Sequence, residues 1–79
     1  MFMESIEFIK NFAAQFDETD ISEFSLETKF KDIDEWSSLN ALAVMNMVEK
    51  NYSVTMNAND LKQANTIKDL YEIILLKQI

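Results

Sequence analysis

The 79-residue sequence contains no cysteine, histidine, glycine, proline or arginine, and each absence excludes something. Without Cys or His there is no disulfide framework, no zinc site of the usual ligand types, and no Cys–His or Ser–His–Asp catalytic set. Any reactive thiol or imidazole has to come from another molecule. Without Gly or Pro, the breaks between elements rest on Asn, Asp, Ser and Thr. The cations are seven lysines against 14 acids, a net charge of -7. That balance argues against nucleic acid as a ligand, because a protein that binds it neutralises phosphates with a basic face. Basic protein surfaces are the better match. No apolar run approaches the roughly 20 residues that span a bilayer, and Met1-Phe2-Met3-Glu4-Ser5 lacks the basic and apolar regions of a secretory signal. The expected location is the cytoplasm, without membrane insertion, so the glycosylation sequon Asn51-Tyr52-Ser53 is read as a chance match.

The chain is 48% hydrophobic, and at this length it buries only about 60% of its unfolded surface, so the core claims nearly every strong apolar residue. Little remains for an enzyme cleft. Ile6, Ile9, Phe12, Ala13 and Phe16 recur at helical spacing with Phe8 on one flank, predicting an amphipathic helix that ends near Phe16. Residues 17–35 follow with eight acids and two lysines, while the other 60 are close to neutral. This acidic stretch has no clean period and is expected to be a connection pinned to the core by Ile21, Phe24, Leu26, Phe30 and Ile33. From Ser37 to Lys50 the chain is rich in helix formers and opens on serine caps. Tyr52, Val54 and Met56 alternate, but a lone strand has nothing to pair with, so an extended loop with buried side chains is expected. Asn57-Ala58-Asn59-Asp60 resembles a capping box opening a short helix through about Ala64. Thr66-Ile67-Lys68-Asp69 repeats the pattern before a last helix over about 67–77, with Ile67, Leu70, Tyr71 and Ile74 on one face. The fold class is all-α, a four-helix bundle with three main helices, a short third one and a long loop after the first, forming one domain over residues 1–79.

One place suggests chemistry. If Ser37 is the N-cap, its hydroxyl accepts a first-turn backbone N–H, and Ser38 becomes the first helical residue with its hydroxyl toward solvent. A phosphate ester on Ser38 would meet the unpaired N–H groups and positive end of the helix, worth about 0.3–1 kcal/mol. Read from spacing alone, the favoured reading is that both serines are caps and nothing more, since serine is common at helix starts. The run Asp34-Glu35-Trp36-Ser37-Ser38-Leu39, the Met- and Val-rich helix ending near Tyr52, then Val54-Thr55-Met56, Asp60-Leu61 and Thr66-Ile67-Lys68-Asp69-Leu70 resemble an acyl carrier protein over essentially the whole chain. In that family an Asp-Ser-Leu triplet carries 4′-phosphopantetheine on its serine, and the matching residue is Ser38. Ser37 stands where the family has aspartate, replacing its capping function but not its charge.

The resemblance implies a carrier rather than an enzyme. The borrowed thiol, covalently attached from coenzyme A, would hold acyl groups as thioesters and deliver them to fatty-acid or polyketide-type enzymes. The implied partners are a phosphopantetheinyl transferase, and acyl-transferring and ketosynthase-type enzymes with basic docking surfaces, meeting a monomer. Leu39 and Leu42 share a face with Asn46, which by resemblance is the docking face; on composition alone a core role for Leu42 stands equally. Val44, Met47 and Val48, with Met56, Leu61, Ala64 and Leu70, are expected as core, and the family reading adds that they part for an acyl chain, which methionine's flexibility suits. Trp36 either anchors the helix start or touches the pantetheine arm. Acyl carrier proteins usually have an acidic second helix, whereas residues 38–64 hold only Glu49 and Asp60 against Lys50 and Lys62. Docking is therefore expected at Asp32, Asp34, Glu35 and Glu49; a solvated acidic loop serving solubility is the plainer alternative. Two further readings stand: a peptidyl or aminoacyl carrier of a nonribosomal or specialised pathway, and an unmodified acidic interaction module. An EF-hand reading of the loop from Asp17 fails, since it lacks the central glycine and has Thr28 in place of the bidentate glutamate. No metal site is expected.

Overall fold

The computed structural model describes residues 4–78. Part of the N-terminal stretch read above as lacking a signal, Met1 to Met3, lies outside the described residues. Four α-helices follow one another: α1 (Ser5–Ala13), α2 (Ser38–Tyr52), α3 (Ala58–Gln63) and α4 (Ile67–Gln78). Between α1 and α2 the chain forms two short 3₁₀ turns, Ile21–Glu23 and Phe30–Asp32, and no strand occurs among the described residues.

α1 stops at Ala13, three residues before the expected end. The amides of Gln15 and Phe16 tighten onto the carbonyls of Phe12 and Ala13, turning the chain so that Phe16 still reaches the core. The buried face is also rotated from the expected one. Phe8 and Phe12 are fully enclosed while Ile6 remains 67% exposed. Phe8 packs against Tyr52 and Tyr71 at ring separations of 6.0 and 5.9 Å, so turning two phenyl rings inward outweighs the loss of Ile6 from the core.

The acidic segment behaves as a pinned connection, with one exception. Phe24 and Phe30 are buried, and Leu26 and Ile33 pack against the core, but Ile21 is 53% exposed. Its turn is capped by Asp20, which accepts the Ser22 amide, and the chain then delivers Phe24 rather than Ile21 to the aromatic cluster. The amides of Ile67 and Lys68 donate to Thr28 and Leu26 carbonyls at 3.1 and 2.9 Å, tying the loop to the head of α4.

α2 begins at Ser38 behind Ser37, as expected, and runs two residues beyond Lys50. Tyr52 thus belongs to the helix instead of the loop; its ring lies on Phe8 and its hydroxyl accepts from Asn11 Nδ2 at 2.7 Å. Val54 and Met56 are buried from an extended segment, as expected. Both predicted capping boxes form. Asn57 and Asp60 bond reciprocally at 2.9 and 3.0 Å, and Thr66 and Asp69 at 3.1 and 3.0 Å. Lys77 pairs with Asp60 at 3.3 Å, linking α4 to α3. Val44, Met47, Val48, Met56, Leu61, Ala64 and Leu70 all lie in one contiguous core with the phenylalanines.

Candidate functional site

Ser38 sits exposed at the head of the 15-residue α2. No side chain caps the first turn of this helix. The Ser37 hydroxyl, expected to accept a backbone amide, instead donates to Asn40 Oδ1 at 2.9 Å. Asn40 is the buried polar residue of the described core, and its Nδ2 donates to the Gln15 carbonyl at 3.1 Å. With that carbonyl contributed from just after α1, Asn40 draws the Ser37 hydroxyl away from the capping position. The uncapped first-turn amides and the positive end of the helix remain for an anion. Sequence reasoning missed Asn40; its one signal was an amide residue two positions into α2, ahead of the apolar run 41–45.

The residues just before Ser38 are held by the loop that follows α1. Glu35 accepts the amides of Asp17 and Glu18 at 2.6 and 2.9 Å and the Thr19 hydroxyl at 2.9 Å. Partial desolvation opposes its ionisation, but the Glu18 and Asp17 amides and the Thr19 hydroxyl together outweigh it and hold its pKa below the ordinary carboxyl value. Trp36 lies edge-on to Phe30 at 5.0 Å and stacked near Phe16 at 6.2 Å, so it anchors the helix start as expected.

Beside Ser38 runs an open, largely apolar groove of about 500 Å³ between α2 and α3, lined by Trp36, Ala41, Leu42, Met45, Ala58 and Leu61 with Lys31 and Lys62 at its edge. Lys31 Nζ donates to the Lys62 carbonyl at 2.8 Å, bridging that edge. Trp36 therefore both anchors the helix and faces the groove. Of the seven residues expected to form an acyl pocket, Leu61 also lines this groove; the other six belong to the closed core. Leu39 and Leu42 are 79% and 55% exposed, and Asn46 is exposed with them.

The expected docking acids divide. Asp32 and Asp34 are exposed close before Ser38 in the chain, on the rim of an acidic concavity that Glu18, Glu23 and Glu27 share. Glu35 is half-buried with its carboxylate already occupied. Glu49 is exposed 11 residues along α2, about 16 Å from Ser38 at 1.5 Å per residue. Among the described residues no group of acids is spaced to hold a metal ion, and no helix is long and apolar enough to cross a membrane.

A family model described as a phosphopantetheine attachment site matches residues 7–74. The chain belongs to the phosphopantetheine-attachment family. No curated protein and no solved structure matches it. Domains of this family are non-catalytic carriers bearing covalent 4′-phosphopantetheine, and they work with a phosphopantetheinyl transferase and biosynthetic enzymes. The all-helical architecture is that of a small acyl-carrier bundle. The site suits the group: an exposed hydroxyl, an uncapped helix head for its phosphate and an adjoining apolar groove for a flexible arm.

Proposed function

We propose that residues 1–79 form one acyl carrier domain, monomeric and cytoplasmic, and that Ser38 is its attachment serine. The observation that carries this reading is Ser38 itself: a solvent-facing serine on the first position of a long helix whose first turn has no side-chain cap. In the loading reaction the Ser38 oxygen bonds to the phosphorus of coenzyme A's pantetheine arm and the pyrophosphate bridge breaks. Adenosine 3′,5′-bisphosphate leaves, and the hydroxyl proton passes to a base on the transferase. The chain has no histidine to act as that base, which fits a substrate protein rather than an enzyme. When bound, the group supplies the thiol that holds cargo as a thioester.

The remaining roles fall to the chain's own surface. The first-turn amides and the helix end favour the phosphate charge. Trp36, Ala41, Met45 and Ala58 offer apolar contact along the groove, and Met47 and Met56 behind it yield most readily if Val44, Val48, Leu61, Ala64 and Leu70 part for longer cargo. Leu39, Leu42, Asp32, Asp34 and Glu49 form the docking set for enzymes with basic surfaces, the leucines supplying buried area and the acids steering. The cargo we assign is acyl, in fatty-acid or polyketide-type synthesis; an aminoacyl cargo for a specialised pathway is the runner-up, favoured by the near-neutral second half of α2.

Intact-mass measurement tests the attachment. Co-expression with a broad-specificity phosphopantetheinyl transferase and coenzyme A is expected to add one phosphopantetheine to the wild type and none to Ser38→Ala. Absence of the gain in wild type, or its survival in the variant, would sink the reading.

A further inference from the structure

Glu35 was expected at the docking surface; it lines the acidic concavity with Asp32 and Asp34, yet its carboxylate is already taken by donors of this chain. Its three acceptor contacts go to Asp17, Glu18 and Thr19, residues 16–18 positions earlier, just after α1. Three residues after Glu35 comes Ser38, and two further on Asn40 reaches back to Gln15 in the same turn. Trp36, between them, stacks near Phe16. Polar ties on both sides of Ser38 therefore converge on one short segment, residues 15–19, with an aromatic contact in the middle. Asp32 and Asp34 show no such internal bonds and remain exposed.

We propose, on the reading that Ser38 is the attachment serine, that Glu35 and Asn40 are positioning residues for its loading: they clamp the start of α2 to the segment after α1 and so hold the Ser38 backbone in one geometry for the transferase. Glu35 thereby acts through Ser38 and not through a partner's basic surface. Charge-assisted bonds to two consecutive amides are stronger than neutral ones and give orientation as well as attraction. A carboxylate in this position fixes the loop, because an amide in its place presents one acceptor and one donor to three donors.

The distinction is readable in transferase kinetics with coenzyme A. Glu35→Gln is expected to lower kcat for loading Ser38 by about ten- to a hundredfold, the scale of a small misplacement at a reacting group, while KM keeps its wild-type dependence on salt. Asp34→Asn is expected to do the reverse, raising KM with a shallower salt dependence at unchanged kcat. Thr19→Val removes one of the three contacts and is expected to give a smaller kcat loss, which Thr19→Ser restores. Far-UV circular dichroism accompanies each variant; if Glu35→Gln does not fold, the Thr19 pair decides. Loading of a folded Glu35→Gln at the wild-type rate, or a defect confined to KM with reduced salt dependence, would overturn the proposal, as would equal rates for Thr19→Val and wild type. Wild-type loading with none in Ser38→Ala is the control that separates failure of the clamp from failure of the attachment assignment.

Discussion

Ser53 ends α2 with φ 57°, ψ 34°, the one positive φ among the described residues. In that left-handed conformation a β-carbon crowds the carbonyl oxygen that follows, which costs about 1–2 kcal/mol for a residue other than glycine. The Ser53 amide meanwhile donates to the Glu49 carbonyl at 3.0 Å and closes the helix, so the conformation serves as a C-cap. Since the chain contains no glycine, a residue with a steric penalty fills the place glycine usually takes. Ser53→Gly is expected to stabilise the protein by about 0.5–1 kcal/mol, once glycine's extra unfolded-state entropy is set against the relieved crowding. A calorimetric midpoint unchanged or lowered by the substitution would show that the cap carries no penalty.

Helix heads show how differently the elements are begun. α3 and α4 open on reciprocal boxes, whereas α2 opens without a side-chain cap and leaves its amides free of side-chain partners. Asp69 does the larger share at α4. The amides of Asn65 and Thr66 donate to its carboxylate at 2.9 and 3.0 Å and hold its pKa below the ordinary value of 3.8. A carboxyl with a depressed folded pKa stabilises the fold fully above its unfolded value, and this contribution disappears as the pH falls through the lower folded value. Asp69→Asn is therefore expected to lower the thermal midpoint at pH 7, with the gap to wild type closing as the pH drops below 3.8. Equal pH profiles for the two proteins would show that the box is not felt in stability. α1 likewise begins without a side-chain cap, so what sets α2 apart is the exposed Ser38 at its head and the apolar groove beside it.

Over the whole molecule, the acidic charge is concentrated in the stretch of chain that leads up to Ser38. Eight of the 14 acids lie in residues 17–35, leading up to Ser38, and beyond them lie the exposed Leu39 and Leu42. A field concentrated there steers a basic partner toward the serine more effectively than the same charge spread evenly. Between 0.1 and 1 M salt the Debye length falls from about 10 to 3 Å, so KM for the transferase is expected to rise across that range. Reversing Asp32 and Asp34 to lysine is expected to raise KM about tenfold at low salt, a loss of roughly 1.4 kcal/mol, and to flatten the salt dependence. An unaltered KM in that double variant would leave the acidic loop with solubility as its role.

What was legible in the sequence is what depends on neighbours three or four residues apart. Ser37 and Ser38 at the head of α2, the Asn57–Asp60 and Thr66–Asp69 boxes, and the burial of Val44, Met47, Val48, Leu61 and Leu70 all follow from such spacing, because a helix brings those positions together whatever surrounds it. Net charge, the missing thiol and the candidate serine were likewise set by composition and local order. Tertiary structure decided the rest, wherever a side chain's partner lies far along the chain. Tyr52 and Tyr71 chose Phe8 over Ile6 as the inward side of α1, and the aromatic cluster took Phe24 and left Ile21 outside. Asn40 found Gln15 across 25 residues, and Glu35 found the amides after α1 across 17 and 18. A carboxylate next to an acidic run reads as one more free surface charge until the fold supplies the donors that occupy it.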